Sequence, residues 1–85
     1  MDARDAQIIA AVARGWSEGR NLTYRELLPI SGLRSLSAIW IRIWKFNGLV
    51  RQGWLRGDDL LVRTLRPGPR FAGLDVDGWP LEVIE

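Results

Sequence analysis

The side chains here that have chemistry to offer are cationic. Residues 20–70 hold ten basic residues against Glu26, Asp58 and Asp59, a balance of +7. Residues 1–19 balance at −1, and residues 71–85 hold Asp75, Asp77, Glu82 and Glu85 with no base. Eleven of the twelve bases are arginine, whose planar fork suits phosphates and base edges. Other chemistries are missing from the sequence. Its 85 residues contain no cysteine and no histidine, which excludes disulfides, imidazole catalysis and the usual zinc sites. No carboxylate pair or Lys/Ser constellation stands out. Neither an enzyme nor a metal or cofactor is expected. A basic middle beside an acidic tail points to a polyanion partner. A solvated surface of mixed sign is the plain alternative.

The elements that must position these cations are organised around Ser35–Gly48, SLSAIWIRIWKFNG. Its length and its lack of Pro or internal Gly predict a helix over 35–47, with Ser35 as N-cap and Asn47-Gly48 as the stop. On a helical wheel Ser35, Ala38, Arg42, Lys45 and Leu49 share one narrow stripe. The rest is apolar or small, an arc wider than an ordinary core-facing stripe. That predicts a helix covered on two sides, with one thin cationic ridge left in water.

Residues 3–17 read as an amphipathic helix capped by Asp2 or Asp5, with Ile8, Ile9, Val12, Ala13 and Trp16 at helical spacing. Thr23-Tyr24-Arg25-Glu26 is a capping box. It opens a short helix that Pro29 limits to about two turns. Ser31-Gly32 then turns the chain into the Ser35 helix. Short helix, glycine turn and longer helix form the helix-turn-helix order. After Gly48 the period changes. Leu49–Arg56 and Leu60–Leu65 flank Gly57-Asp58-Asp59 as a β-hairpin, and Pro67-Gly68-Pro69 is a hard break. Phe71–Val76 and Trp79–Ile84 flank Asp77-Gly78, a hairpin dipeptide.

The expected fold is therefore α+β: a three-helix winged helix-turn-helix with a β-hairpin wing and a short C-terminal β extension. Residues 1–66 would form the winged domain and residues 67–85 an acidic extension packed on it. The run TYRELLPISGLRS and the helix after it resemble the N-terminal DNA-binding domain of LexA-type repressors. There a Thr-x-x-Glu box opens the second helix and a turn like Gly32-Leu33-Arg34-Ser35 opens the third. An exit like Gly48-Leu49-Val50 then leads into the wing. The resemblance covers about residues 5–66. The long helix departs from the family at Ile39, Trp40 and Ile41, and the protease domain is not in this sequence.

The resemblance implies double-stranded DNA as partner, with the Ser35 helix in the major groove. Ser35, Ser37 and Ala38 would face base edges, and Arg42 and Lys45 would meet a base or the backbone. Arg34 lies at the helix N-terminus, where phosphate can also bind. Arg25, Arg56 and Arg63 would reach backbone from the preceding helix and the wing. A homodimer is expected, because one such domain contacts few bases. An alternative reading makes Ile39, Trp40 and Trp44 an apolar patch for a protein partner, such as the transcription machinery; a plainer one packs both tryptophans in the core. Residues 1–15 lack a basic start followed by a long apolar run, and the 39–46 run is too short to cross a bilayer. A cytoplasmic location with no membrane partner is expected.

Overall fold

Three helices come first and two small antiparallel sheets follow; the computed structural model describes residues 1–57 and 65–83. Helix α1 spans Ala3–Ser17. The Asp2 carboxylate caps it by accepting the Arg4 backbone N–H at 2.7 Å, which satisfies one of the free donors of the first turn. Ile8, Ile9 and Val12 are buried and Trp16 is exposed. Gly15 is buried because the next turn folds back on it: the Arg20 N–H donates to the Gly15 carbonyl at 2.7 Å. A Cβ at Gly15 would meet the Arg20 carbonyl and Leu22 at 3.2 Å.

Helix α2 spans Tyr24–Ser31. The Thr23 hydroxyl accepts the Glu26 N–H at 3.1 Å, half of the expected capping box. The other half is replaced: the Glu26 carboxylate turns to Arg20, 3.2 Å away. Gly32 ends α2 in the left-handed region at φ 72°, which costs a residue without Cβ little. Helix α3 spans Leu36–Trp44, capped by Ser35, whose hydroxyl accepts the Ala38 N–H at 3.1 Å.

The helix stops short of the expected Asn47. The chain crosses back over the end of α3, so that the Leu49 and Val50 N–H groups donate to the Arg42 and Ile43 carbonyls at 2.9 and 3.0 Å. Those bonds occupy two of the orphan acceptors at the end of α3. Gly48 permits the crossing: a Cβ there would sit 2.7 Å from the Ile43 carbonyl oxygen.

The expected strand over Leu49–Arg56 forms only at its end. Residues 49–53 are a turn, with Gln52 N–H donating to the Gly48 carbonyl and Gly53 N–H to the Val50 carbonyl. Strand β1 is Leu55–Arg56 and pairs antiparallel with β2, Arg66–Pro67. Pro67 was expected to break the chain and instead sits in a strand. It is the last paired residue, opposite Leu55, where a missing N–H is tolerated. Most of the expected strand Leu60–Leu65 lies outside the described residues. The expected C-terminal hairpin is present, with β3 (Phe71–Leu74) antiparallel to β4 (Pro80–Glu82) and an irregular register between Phe71 and Gly73.

The core lies under α1. Ile8, Ile9 and Val12 meet Leu27 of α2, Ile39 and Ile43 of α3, and Trp54 and Leu55 at β1. Burial of each such aliphatic side chain stabilises by about 1.5–3 kcal/mol. The C-terminal hairpin packs on the same body. Arg70 pairs with Glu82 and lies 5.0 Å over the buried Trp54 ring. A Cβ on Gly78 would touch the Arg14 guanidinium of α1 at 2.6 Å.

Candidate nucleic-acid interface

The carboxylates divide the cations into two sets. Arg20 pairs with Glu26 and Glu18, Arg42 with Asp5 and Asp2, and Arg70 with Glu82. Arg25, Arg34, Arg51 and Arg56, and Arg4 and Arg14 of α1, are exposed and have no carboxylate partner among the described residues. Lys45 is exposed too, its ammonium 5.9 Å from the centre of the Trp40 ring, a cation–π distance.

Three of these cations are chain neighbours of the residues in a contact made by Trp44. Its indole N–H donates to the Tyr24 hydroxyl at 2.7 Å, tying the first turn of α2 to the end of α3. Its six-membered ring lies against Gly57, where a Cβ would be 2.5 Å away, tying α3 to the end of β1. Arg25, Lys45 and Arg56 are each one residue from a member of this contact. Arg34 stands at the other end of α3, in the turn before the Ser35 cap.

The face that α3 turns to water is not the expected ridge. Arg42 reaches back to the start of α1. Its guanidinium donates to Asp5 at 2.9 Å and lies 3.5 Å from Asp2. The hydrogen bond to Asp5 raises the Arg42 pKa further above its ordinary value, and the nearby Asp2 charge adds to it. Leu49, expected on the same stripe, is fully buried. The exposed side of α3 is instead Ser37 and Ile41, one turn apart, with Leu36 and half-buried Trp40 beside them. Ile41 is 47% exposed. The helix is therefore covered on one side only, and its open side is largely apolar.

The remaining expected site residues fall as follows. Ser35 spends its hydroxyl on the cap, Ala38 is half-buried, and Arg63 lies outside the described residues. Ile39 belongs to the core, so it has no surface to give the alternative protein patch. Trp44 packs against the core and under the hairpin, whereas Trp40 is half-buried outside the core cluster. Phe46, which the wheel placed in a helix, sits past its end at φ 46° with 82% of its surface exposed.

Two contacts were hidden in the sequence. The Asp2–Asp5–Arg42 clamp joins residues at least 37 positions apart, and the only signal was a surplus carboxylate near the first cap. The Tyr24–Trp44 bond spans 20 positions. Among the described residues no group of acidic side chains could hold a metal ion, and no helix there is long and apolar enough to cross a membrane. No family model, curated protein or solved structure matches the chain. The described residues form a small α+β domain of three helices and two two-stranded antiparallel sheets.

Proposed function

We propose that this chain is a winged helix-turn-helix that binds double-stranded DNA as a regulator of transcription, of bacterial or phage type. In this reading α3 enters the major groove and the β1–β2 hairpin is the wing. The observation that carries it is the set of unpaired cations around α3. Arg25, Lys45 and Arg56 are chain neighbours of Tyr24, Trp44 and Gly57 and Arg34 lies at the α3 N-terminus, all without a carboxylate partner among the described residues, while Arg20, Arg42 and Arg70 are neutralised by carboxylates. Four free cations at the edges of an exposed helix suit phosphates on either side of a groove, and such contacts position a protein on duplex DNA. Two copies on neighbouring half-sites are the expected binding form, since one small domain covers few base pairs. The expected location is the cytoplasm.

A labelled mixed-sequence duplex of about two helical turns, titrated by fluorescence anisotropy at about 50 mM salt, tests the reading. Saturable binding supports it, and no binding at that salt overturns it. One observation favours a second reading. Ile41, Leu36 and Trp40 form an apolar strip on the open side of α3, and an apolar centre with an arginine rim also suits a protein interface. Under that reading Trp40→Ala and Ile41→Ala abolish self-association or partner binding with the fold intact, and no duplex binds.

A further inference from the structure

The open side of α3 says what kind of sequence it could read. Base edges in the major groove are distinguished by hydrogen-bond donors and acceptors and by one apolar feature, the thymine C5-methyl group. Several polar groups that α3 could aim at donors and acceptors are already partly engaged within the domain. The Ser35 hydroxyl accepts the Ala38 N–H, Arg42 is held by Asp5 and Asp2, and the Trp44 N–H is held by Tyr24. In the first turn of α3 Ser37 has no hydrogen-bond partner for its hydroxyl among the described residues. Ile41, one turn on, shows nearly half of its surface, with Trp40 at its flank.

We infer that α3 reads DNA mainly by apolar contact, Ile41 seating against thymine methyl groups, so that thymine-bearing A·T sequence is the preferred substrate class. The inference rests on the DNA-binding reading above. Arg34 and Lys45, at the two ends of the helix, hold the backbone while Ile41 and Ser37 face the base edges between them. Each methyl group taken out of water by Ile41 strengthens binding about four-fold, from the transfer free energy of a single carbon.

Deoxyuridine tests this directly, because it pairs as thymine does and lacks only the methyl. Alternating d(A-T) and d(A-U) duplexes of equal length are compared by anisotropy with the whole protein. The expected result is weaker binding to the uracil duplex, by about four-fold per contacted methyl. A second pair, alternating d(G-C) with and without 5-methylcytosine, is expected to gain affinity on methylation. Ile41→Ala is expected to bind the thymine and uracil duplexes alike, while Ile41→Val keeps the preference. Equal affinity of the unaltered protein for thymine and uracil duplexes overturns the inference and leaves DNA binding standing. Failure to bind any of the four duplexes overturns both.

Discussion

Replacing Arg42 separates two roles that one charge could play. The structure makes Arg42 a clamp between α3 and the N-terminus of α1, with its guanidinium 2.9 Å from Asp5 and 3.5 Å from Asp2. Exposed ion pairs contribute about 0.2–1 kcal/mol, and hydrogen bonds between charged groups about 1.5–3 kcal/mol. The Arg42 and Asp5 side chains are 28% and 20% exposed, so the pair lies between these limits, at about 1.5 kcal/mol. Arg42→Gln is then expected to lower the melting temperature of a domain this size by roughly 6–12 °C. Combining Arg42→Gln with Asp5→Asn in a double-mutant cycle is expected to show a coupling of about 1 kcal/mol by urea denaturation. The same substitution should leave the salt dependence of DNA binding unchanged, since the charge is already neutralised at α1. A coupling near zero, or a salt slope that falls by about 0.9 in Arg42→Gln, refutes the clamp and returns Arg42 to the phosphates.

The two helix tryptophans should behave differently. Trp44→Ala removes a ring packed on the core and is expected to cost about 3–5 kcal/mol, whereas Trp40→Ala, outside the core, should cost about 1 kcal/mol; thermal melts of both variants check this. Gly48→Ala puts a Cβ 2.7 Å from the Ile43 carbonyl oxygen, against backbone that closes α3, and is expected to cost about 2–3 kcal/mol in urea denaturation. Asp2 gives a pH dependence. The Arg4 N–H it accepts holds its pKa below 3.8, with Arg42 assisting. Stability from this cap is fully present above that value and is lost as pH falls through the lower folded-state pKa. Asp2→Asn keeps a capping side chain but should flatten that acid loss when urea midpoints are compared from neutral pH downward.

Local chemistry was legible in the sequence. The bounds of α1, the Thr23 and Ser35 caps and the Gly32 turn each depend on residues within four positions of one another. The Asp77-Gly78 turn was equally readable, with the Asp75 carboxylate accepting the Asp77 and Trp79 N–H groups at 2.9 and 2.8 Å. Features decided by distant partners were not. A helical wheel fixes which residues share a side but not which side meets the core when the apolar arc is this wide. Arg42 was read as facing water because it fell on the one narrow polar stripe of the wheel; its partners Asp2 and Asp5 come from the far end of the chain. The end of α3 moved for the same reason. Its last carbonyls found Leu49 and Val50, so the chain turned where a strand was expected. In the candidate site, Arg25, Arg34, Lys45 and Arg56 remain exposed as expected, while Ile41, the most exposed apolar residue within α3, carried no sequence signal beyond hydrophobicity.

The salt dependence of duplex binding tests the central claim most directly. If Arg25, Arg34, Lys45 and Arg56 each meet a phosphate, the logarithm of the association constant per bound copy should fall against log salt with a slope of about −3.6. Replacing Arg34 and Arg56 together by Gln should bring that slope to about −1.8, with the melting temperature unchanged. A slope near zero in the unaltered protein, or one that the double replacement leaves where it was, would contradict the account.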